Sequence, residues 1–292
     1  MLMIRTPRAL VAFSVPAACL LGHAQSHTLN EHSSCAQYLG NAGILVATKD
    51  VKIMFDAFFN DSYGGRFTLV PPEIEEPLFR GAPPYDNVDA IFVSHAHGDH
   101  FSPEPTIRYM RAHRDVLLFA TRQTVDALKN GGADDQLIDR ITAFDLVPGE
   151  SHPPLHVKGI SIEVTAIQHN GGEQMADVQN LAFRVALTPE TIVMHLGDST
   201  PDLELFQRYH DLWKRTPVAY AFAPYWFVTS EPGRRILDKL VAAQSTNAIH
   251  FPSQASDQRE AFEEEYKTHV LTLPGEVVVV GADTPDPCQG DH

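Results

Sequence analysis

Residues 95–100 read His95-Ala96-His97-Gly98-Asp99-His100, directly after the apolar run Ile91-Phe92-Val93. Imidazoles and a carboxylate packed this closely are the side chains that hold zinc, manganese or iron. The apolar run predicts a buried strand, with the cluster at its end. His95 and His97 stand two apart, so an extended segment points both to one side. Gly98 lets the chain turn sharply before Asp99 and His100, which aims the second pair at a different point. That geometry predicts two adjacent metal positions rather than one.

Three later stretches repeat the pattern of an apolar strand that ends on a candidate ligand. Residues 162–168 end at His169, 192–197 at Asp198, and 247–249 at His250. A binding site at one rim of a sheet system needs that placement. Other histidines compete less well. His152 and His156 precede their strand's end, and His195 lies inside a strand, in the core or behind the ligands. His113, His210 and His269 fall on expected helices.

The His-x-His-x-Asp-His stretch, followed in order by His169, Asp198 and His250, resembles the signature of the metallo-β-lactamase superfamily. The resemblance implies an α/β fold, an αββα sandwich of two mixed β-sheets flanked by helices. It also implies two divalent metal ions, zinc first, with manganese or iron as alternatives. His95, His97 and His169 would hold one, Asp99, His100 and His250 the other, and Asp198 would bridge both together with a water. The bridging hydroxide would attack an ester, lactone, amide or phosphodiester, with Asp99 and Asp198 as the catalytic carboxylates. Tyr38-Leu39-Gly40-Asn41-Ala42-Gly43 and then Ile53-Met54-Phe55-Asp56 resemble the superfamily's opening. There the glycines allow a tight hairpin and Asp56 supports the ligands from behind. An aspartate at position 198 resembles the glyoxalase II, lactonase and phosphodiesterase branches more than the zinc β-lactamases, which carry cysteine or serine there. A zinc β-lactamase and an iron-dependent redox member are the alternatives.

The elements that must position these residues follow in order. Strands are expected at 35–46 and 51–55, then a helix at 103–113, a strand at 116–120, a helix at 121–130 and a strand at 140–146. Antiparallel-type strands follow at 156–168, 181–187 and 191–196. A helix at 202–215, a strand at 219–226 and helices at 232–243 and 256–269 lead to a last strand at 275–281. Its consecutive valines predict burial on both faces. Between 57 and 87 prolines are dense (Pro71, Pro72, Pro77, Pro83, Pro84), and Phe58, Phe59, Tyr63 and Phe67 lie close together. The segment reads as an irregular lip over the metal site. Phe58, Phe59 and Tyr63, with Tyr225 and Trp226 at the end of a later strand, are expected to line the substrate pocket.

The 292-residue chain carries 37 acidic and 22 basic side chains, a net charge of −15. Such an acidic chain argues against nucleic acid and leaves a small molecule as the expected partner. Arg5 and Arg8, an apolar run over 10–21 and small residues at Gly22 and Ala24 predict a secretory signal peptide over 1–24. A single domain over 25–292 follows, periplasmic or secreted, with no stable membrane insertion after signal removal. Lipidation at Cys19 is the less favoured alternative. Cys35 and Cys288 remain, an even count that permits one disulfide in an oxidising compartment. In the superfamily's sandwich the chain ends can lie close enough for that bridge.

Overall fold

The computed structural model describes residues 34–280. The expected signal peptide, Cys19 and Cys288 lie outside them. One seven-stranded sheet contains β1 (Ser34–Gly40), β2 (Gly43–Thr48), β3 (Lys52–Phe55), β4 (Ala90–Val93), β5 (Leu117–Thr121) and β6 (Ile141–Phe144). The last strand, β14 (Val277–Val280), extends this sheet beside β1. The other sheet runs β7 (Ser151–Val157), β8 (Ile160–Ala166), β9 (Leu181–Ala186), β10 (Ile192–His195), β11 (Tyr220–Pro224), β12 (Ser245–Ile249) and β13 (His269–Val270). Each sheet is mixed. From β3 to β6 and from β10 to β13 the pairing is parallel, and the remaining pairs are antiparallel.

The sheets pack face to face through Phe55, Phe92, Phe119 and Phe144 on one side and Val164, Phe183, Val193 and Phe222 on the other. Helices α1 (Pro72–Arg80), α2 (Pro103–Ala112) and α3 (Arg122–Asn130) cover the outer face of the first sheet. Later helical segments, among them Leu203–Gln207, Tyr225–Thr229 and Arg259–Tyr266, cover the second. This is the expected αββα sandwich. Strands β4 and β5 read as unbroken apolar runs because parallel strands between two layers are buried on both faces.

Several elements differ from those expected. The stretch 35–46 is a hairpin rather than one strand, because Asn41 (φ 43°) and Ala42 turn the chain. Similarly, 156–168 spans the β7–β8 turn at Lys158 and Gly159, both at positive φ. The Pro-rich segment is not irregular throughout. Pro72 stands at the first helical position, where its missing N–H is no loss, and Gly81 (φ 61°) closes α1 in the left-handed region. Ile74 and Leu78, one turn apart, anchor this helix in the core. The lip therefore shrinks to the residues before Pro72. Tyr225 and Trp226 open a helix instead of ending a strand, and His269 lies on β13 rather than on a helix. Among the described residues β14 is an edge strand, with Val279 38% exposed, so Val277, Val278 and Val279 are not buried on both faces.

Cys35 is buried at the end of β1 opposite Asn41, against Ala47 and Val277, and it is disulfide-bonded. Its register partner Val279 puts the start and end of the described chain side by side. Cys35→Ser is expected to cost about 2–5 kcal/mol of stability. Thermal unfolding should show that loss, while metal content stays unchanged.

Candidate metal centre

All seven candidate ligands gather at one rim of the sandwich, each on the loop that follows a strand. His95, His97, Asp99 and His100 follow β4, His169 follows β8, Asp198 follows β10 and His250 follows β12. Their donor atoms form three overlapping groups, each within 4.8 Å: His95–His97–His169, His95–His100–Asp198 and Asp99–His100–His250. Asp198 stands between the outer two. Its Oδ2 is 3.5 Å from His169 Nε2, 3.4 Å from His250 Nε2 and 3.9 Å from His95 Nε2. Its Oδ1 is 3.2 Å from His100 Nε2.

The first turn of the motif differs from expectation in its cause. Gly98 is not at positive φ. A Cβ there would come within 2.9 Å of the Asp61 Cβ, and the Asp61 N–H donates to the Gly98 carbonyl. Glycine is needed because the 57–71 loop crosses the motif at that point.

The partners behind the ligands decide which imidazole nitrogen faces inward. His100 Nδ1 lies 2.8 Å from Asp56 Oδ2, and a carboxylate can only accept, so Nδ1 carries a proton and Nε2 is the nitrogen left to face a metal. His169 Nδ1 donates to the Asn170 carbonyl, with the same result. Ser94 donates its hydroxyl proton to Asp56 Oδ2 (2.6 Å) and so accepts from His95 Nδ1 (2.9 Å). Asp56, completely buried, thus orients two ligands, one directly and one through Ser94. His195 is also buried, stacked on Phe55 with Nε2 on the Ala42 carbonyl, and holds no ligand position.

Three positioning residues had no assigned role in the sequence. Asn41, within the quoted hairpin, donates Nδ2–H to the Asp99 carbonyl (2.9 Å) and to Asp99 Oδ2 (3.2 Å). Ser94 sits one place before the histidine motif. Asn180 accepts from the Asp198 N–H (2.9 Å) and donates to Ile167 O and Ser199 Oγ, which ties the His169 and Asp198 loops together. Only a buried asparagine ahead of an apolar strand could have signalled it.

The expected pocket aromatics divide. Phe58 and Phe59 are core residues. Phe58 bridges to Phe101 and packs on Phe79 and Tyr109 beneath α2, which turns it away from the ligands. Tyr63 is at the mouth: burial raises its hydroxyl pKa, and the neighbouring Asp99 adds to the shift. Trp226 stands edge-on to His250, with ring centres 5.3 Å apart, and Tyr225 packs behind it on Phe251. Phe67 approaches His250 more closely, at 4.4 Å, and belongs to the site although it was not among the expected pocket residues.

Residues 52–216, more than half of the chain, match the beta-lactamase superfamily domain. The chain belongs to the metallo-β-lactamase superfamily. Solved structures share its fold over nearly their whole length. A possible metal-dependent hydrolase from Veillonella parvula has a TM-score of 0.58 at 15% identity, covering 86% of this chain and 99% of that one. A metallo hydrolase from the archaeon Ignicoccus hospitalis gives 0.56 at 15%, over 86% and 100%. The metallo-beta-lactamase fold protein YhfI from Bacillus subtilis gives 0.56 at 13%, over 85% and 99%. No curated protein matches the sequence.

In this member of the superfamily the site carries its own test for a cation. Asp56, Asp99 and Asp198 are buried, and each of their ion-pair partners among the described residues is a histidine, never lysine or arginine. His95 Nε2, His100 Nε2, His169 Nε2, His250 Nε2 and Asp198 Oδ1 are buried without hydrogen-bond partners. Buried lone pairs and carboxylates of this kind are costly unless a cation satisfies them. The donor set of imidazole and carboxylate fits zinc, manganese or iron.

Burial holds His95 well below the ordinary imidazole value, with His100 adding to it, and burial likewise lowers His97, His169 and His195. Burial opposes the charge on Asp198, yet His250 and His100 outweigh it and keep the carboxyl well below its usual range. Burial also depresses His100, but Asp198 and Asp99 raise it well above the usual imidazole value.

The Asp56→Asn variant removes the acceptor for His100 Nδ1–H and should weaken metal affinity about 10–100-fold. Competition with a chelator measures this, and unchanged affinity would remove Asp56 from the orienting role. A pH dependence follows for the metal-free protein. His95, His97, His169 and His195 resist protonation when folded, while the unfolded chain takes those protons from about pH 6.5 downward. Stability is therefore lost as pH falls through about 6.5. His100 acts in a different window, its contribution being complete below about 6.5 and lost as pH rises through its elevated value, so below about 6.5 the four depressed imidazoles act unopposed. Melting temperatures should fall from about pH 6.5 to about pH 5.

Proposed function

We propose that the protein is a dinuclear metal-dependent hydrolase acting on a small molecule. The observation that carries the proposal is the pair of ligand groups, His95–His97–His169 and Asp99–His100–His250, with the two oxygens of Asp198 facing both. Divalent cations held there, zinc first among them, would supply Lewis acidity and bring the pKa of a water toward neutrality. The chain's own residues do the rest. Asn41 fixes the Asp99 carboxylate from the side, and Asp56 and Ser94 fix the His95 and His100 rings. Asn180 fixes the backbone of Asp198. Those supports set the site before substrate arrives, which lowers the reorganisation needed during reaction. Phe67 and Trp226 beside His250 limit water at that edge.

The reaction class is hydrolysis of an ester, lactone, amide or phosphodiester. The carboxylate at position 198, aimed at both ligand groups, favours a shared centre over the cysteine- or serine-bearing site of the zinc β-lactamases. The charged N-terminal start and apolar run over 10–21 support export to the periplasm or beyond, with removal of residues 1–24.

Treatment with a chelator should abolish turnover of an ester, lactone, β-lactam and phosphodiester panel, and zinc or manganese should restore it. Asp198→Ala should keep the fold by circular dichroism, lose at least one metal equivalent, and lower kcat by more than the roughly 10–100-fold typical of residues behind the ligands. Full metal content and full activity in Asp198→Ala would reject the shared centre.

A further inference from the structure

We infer that the mouth beside His250 is an apolar subsite, built from Tyr63, Phe67 and Trp226, which seats the hydrocarbon part of an uncharged acyl substrate. The inference rests on the hydrolase reading above. Its basis is the asymmetry of the two flanks of the metal centre. Around His97 and His169 the neighbouring loop is Asn170-Gly171-Gly172-Glu173-Gln174-Met175, whose one large apolar side chain, Met175, lies against Gly171, and it carries no aromatic ring. Around His250 the walls are the Phe67 ring at 4.4 Å and the Trp226 indole at 5.3 Å, with Tyr63 edge-on to Phe67 at 6.1 Å.

These walls are held in place by hydrogen bonds of the indole N–H and of the loop backbone. Trp226 Nε1–H donates to the Ser199 carbonyl (2.9 Å), next to Asp198. The Phe67 N–H donates to the Ser62 carbonyl (3.1 Å). The loop is pinned at one end by the Asp61 N–H on the Gly98 carbonyl. At the other end, Ser253 donates its N–H to the Arg66 carbonyl and its hydroxyl to the Gly65 carbonyl. A fixed wall binds without first having to be ordered. Five large hydrophobic residues are exposed among the described ones, and two of them, Tyr63 (50%) and Leu69 (39%), stand in this one loop. Apolar surface placed at a polar site marks where an apolar group is received.

Charge points to an uncharged group. The cation at this mouth, Arg66, already lies over the Phe67 ring at 5.3 Å. Bound divalent cations would offset the three buried carboxylates of the centre, while the chain as a whole carries −15. Beyond those cations and Arg66, an anionic diester would find little fixed positive charge here.

The test uses the metal-loaded protein and 4-nitrophenyl esters from acetate to octanoate. In the wild type kcat/KM should rise about two- to fourfold per added methylene. Phe67→Ser should flatten the series and Phe67→Leu should keep most of it. The slope is a ratio within one variant, so partial loss of metal or of folded protein cancels. A second readout needs no turnover. Of the two tryptophans, Trp213 is buried in the helical layer and Trp226 faces the mouth. Emission should shift to shorter wavelength with 1-hexanol but not with ethanol, and the shift should be lost in Phe67→Ser. A flat wild-type series, an equal slope in Phe67→Ser, or faster turnover of bis(4-nitrophenyl) phosphate than of any ester would overturn the subsite. If no ester, lactone, β-lactam or phosphodiester is hydrolysed, the hydrolase reading fails, and the hexanol titration alone then upholds or rejects the subsite.

Discussion

Three carboxylates, Asp56, Asp99 and Asp198, are buried at one rim of the sandwich with only imidazoles for partners. A lysine or arginine in their place would neutralise the charge permanently and close the site. Histidine instead offers a lone pair once its other nitrogen is tied to an acceptor, as His100 is to Asp56 and His169 to Asn170. The low-dielectric surroundings make the unmatched charge and lone pairs expensive, which gives the rim its demand for a cation. The depressed imidazoles and the strongly elevated His100 express the same imbalance in protons.

Keeping such a site assembled requires a rigid frame, and the two sheets provide it by bonding to each other at the rim. The Leu181 N–H of the second sheet donates to the Ser94 carbonyl of the first, and the His250 N–H donates to the Asn41 carbonyl. Backbone strain collects in the same place. Asn41 (φ 43°), Asp56 (φ 43°) and His250 (φ 60°) all occupy the left-handed region, at a cost of about 1–3 kcal/mol each. Gly197 (φ 53°) completes the set, since a Cβ there would meet Asn180 Oδ1 at 2.5 Å and Ser94 Cβ at 2.7 Å. The apolar interior between the sheets, centred on Phe55, Phe92, Phe183 and Phe222, holds the strands whose ends carry this strain.

The rim is also unequal around its circumference. Imidazole edges and a glycine-containing loop surround His97 and His169, whereas aromatic rings surround His250. On the proposed reading, an uncharged substrate is oriented by packing on one side alone, which leaves the reacting bond over Asp198. Orientation by fixed aromatic walls costs little conformational entropy, because those side chains are already held by their own hydrogen bonds and by the pinned loop.

That these five histidines and two aspartates gather at one rim was legible in the sequence because chemistry and position coincide there. Histidine and aspartate at strand ends survive any detail of packing, and the long apolar runs around them specify two buried sheets. Asp56 was legible for the same reason. Tertiary structure decided what depends on direction and on distant neighbours. Phe58 and Phe59 look identical to Phe67 as letters, yet the bridge from Phe58 to Phe101 turns the first toward α2, while the pinned loop brings Phe67 to His250. Asn41 and Asn180 acquire their roles from residues 58 and 18 positions away, which local pattern cannot report. Of the prolines of α1, Pro72 falls where the helix begins, whereas Pro77 lies inside it and the helix still runs to Arg80, anchored by Ile74 and Leu78 in the core. Val277, Val278 and Val279 of β14 are only partly covered because, among the described residues, no strand lies beyond them at the sheet's edge, a fact of topology rather than of composition.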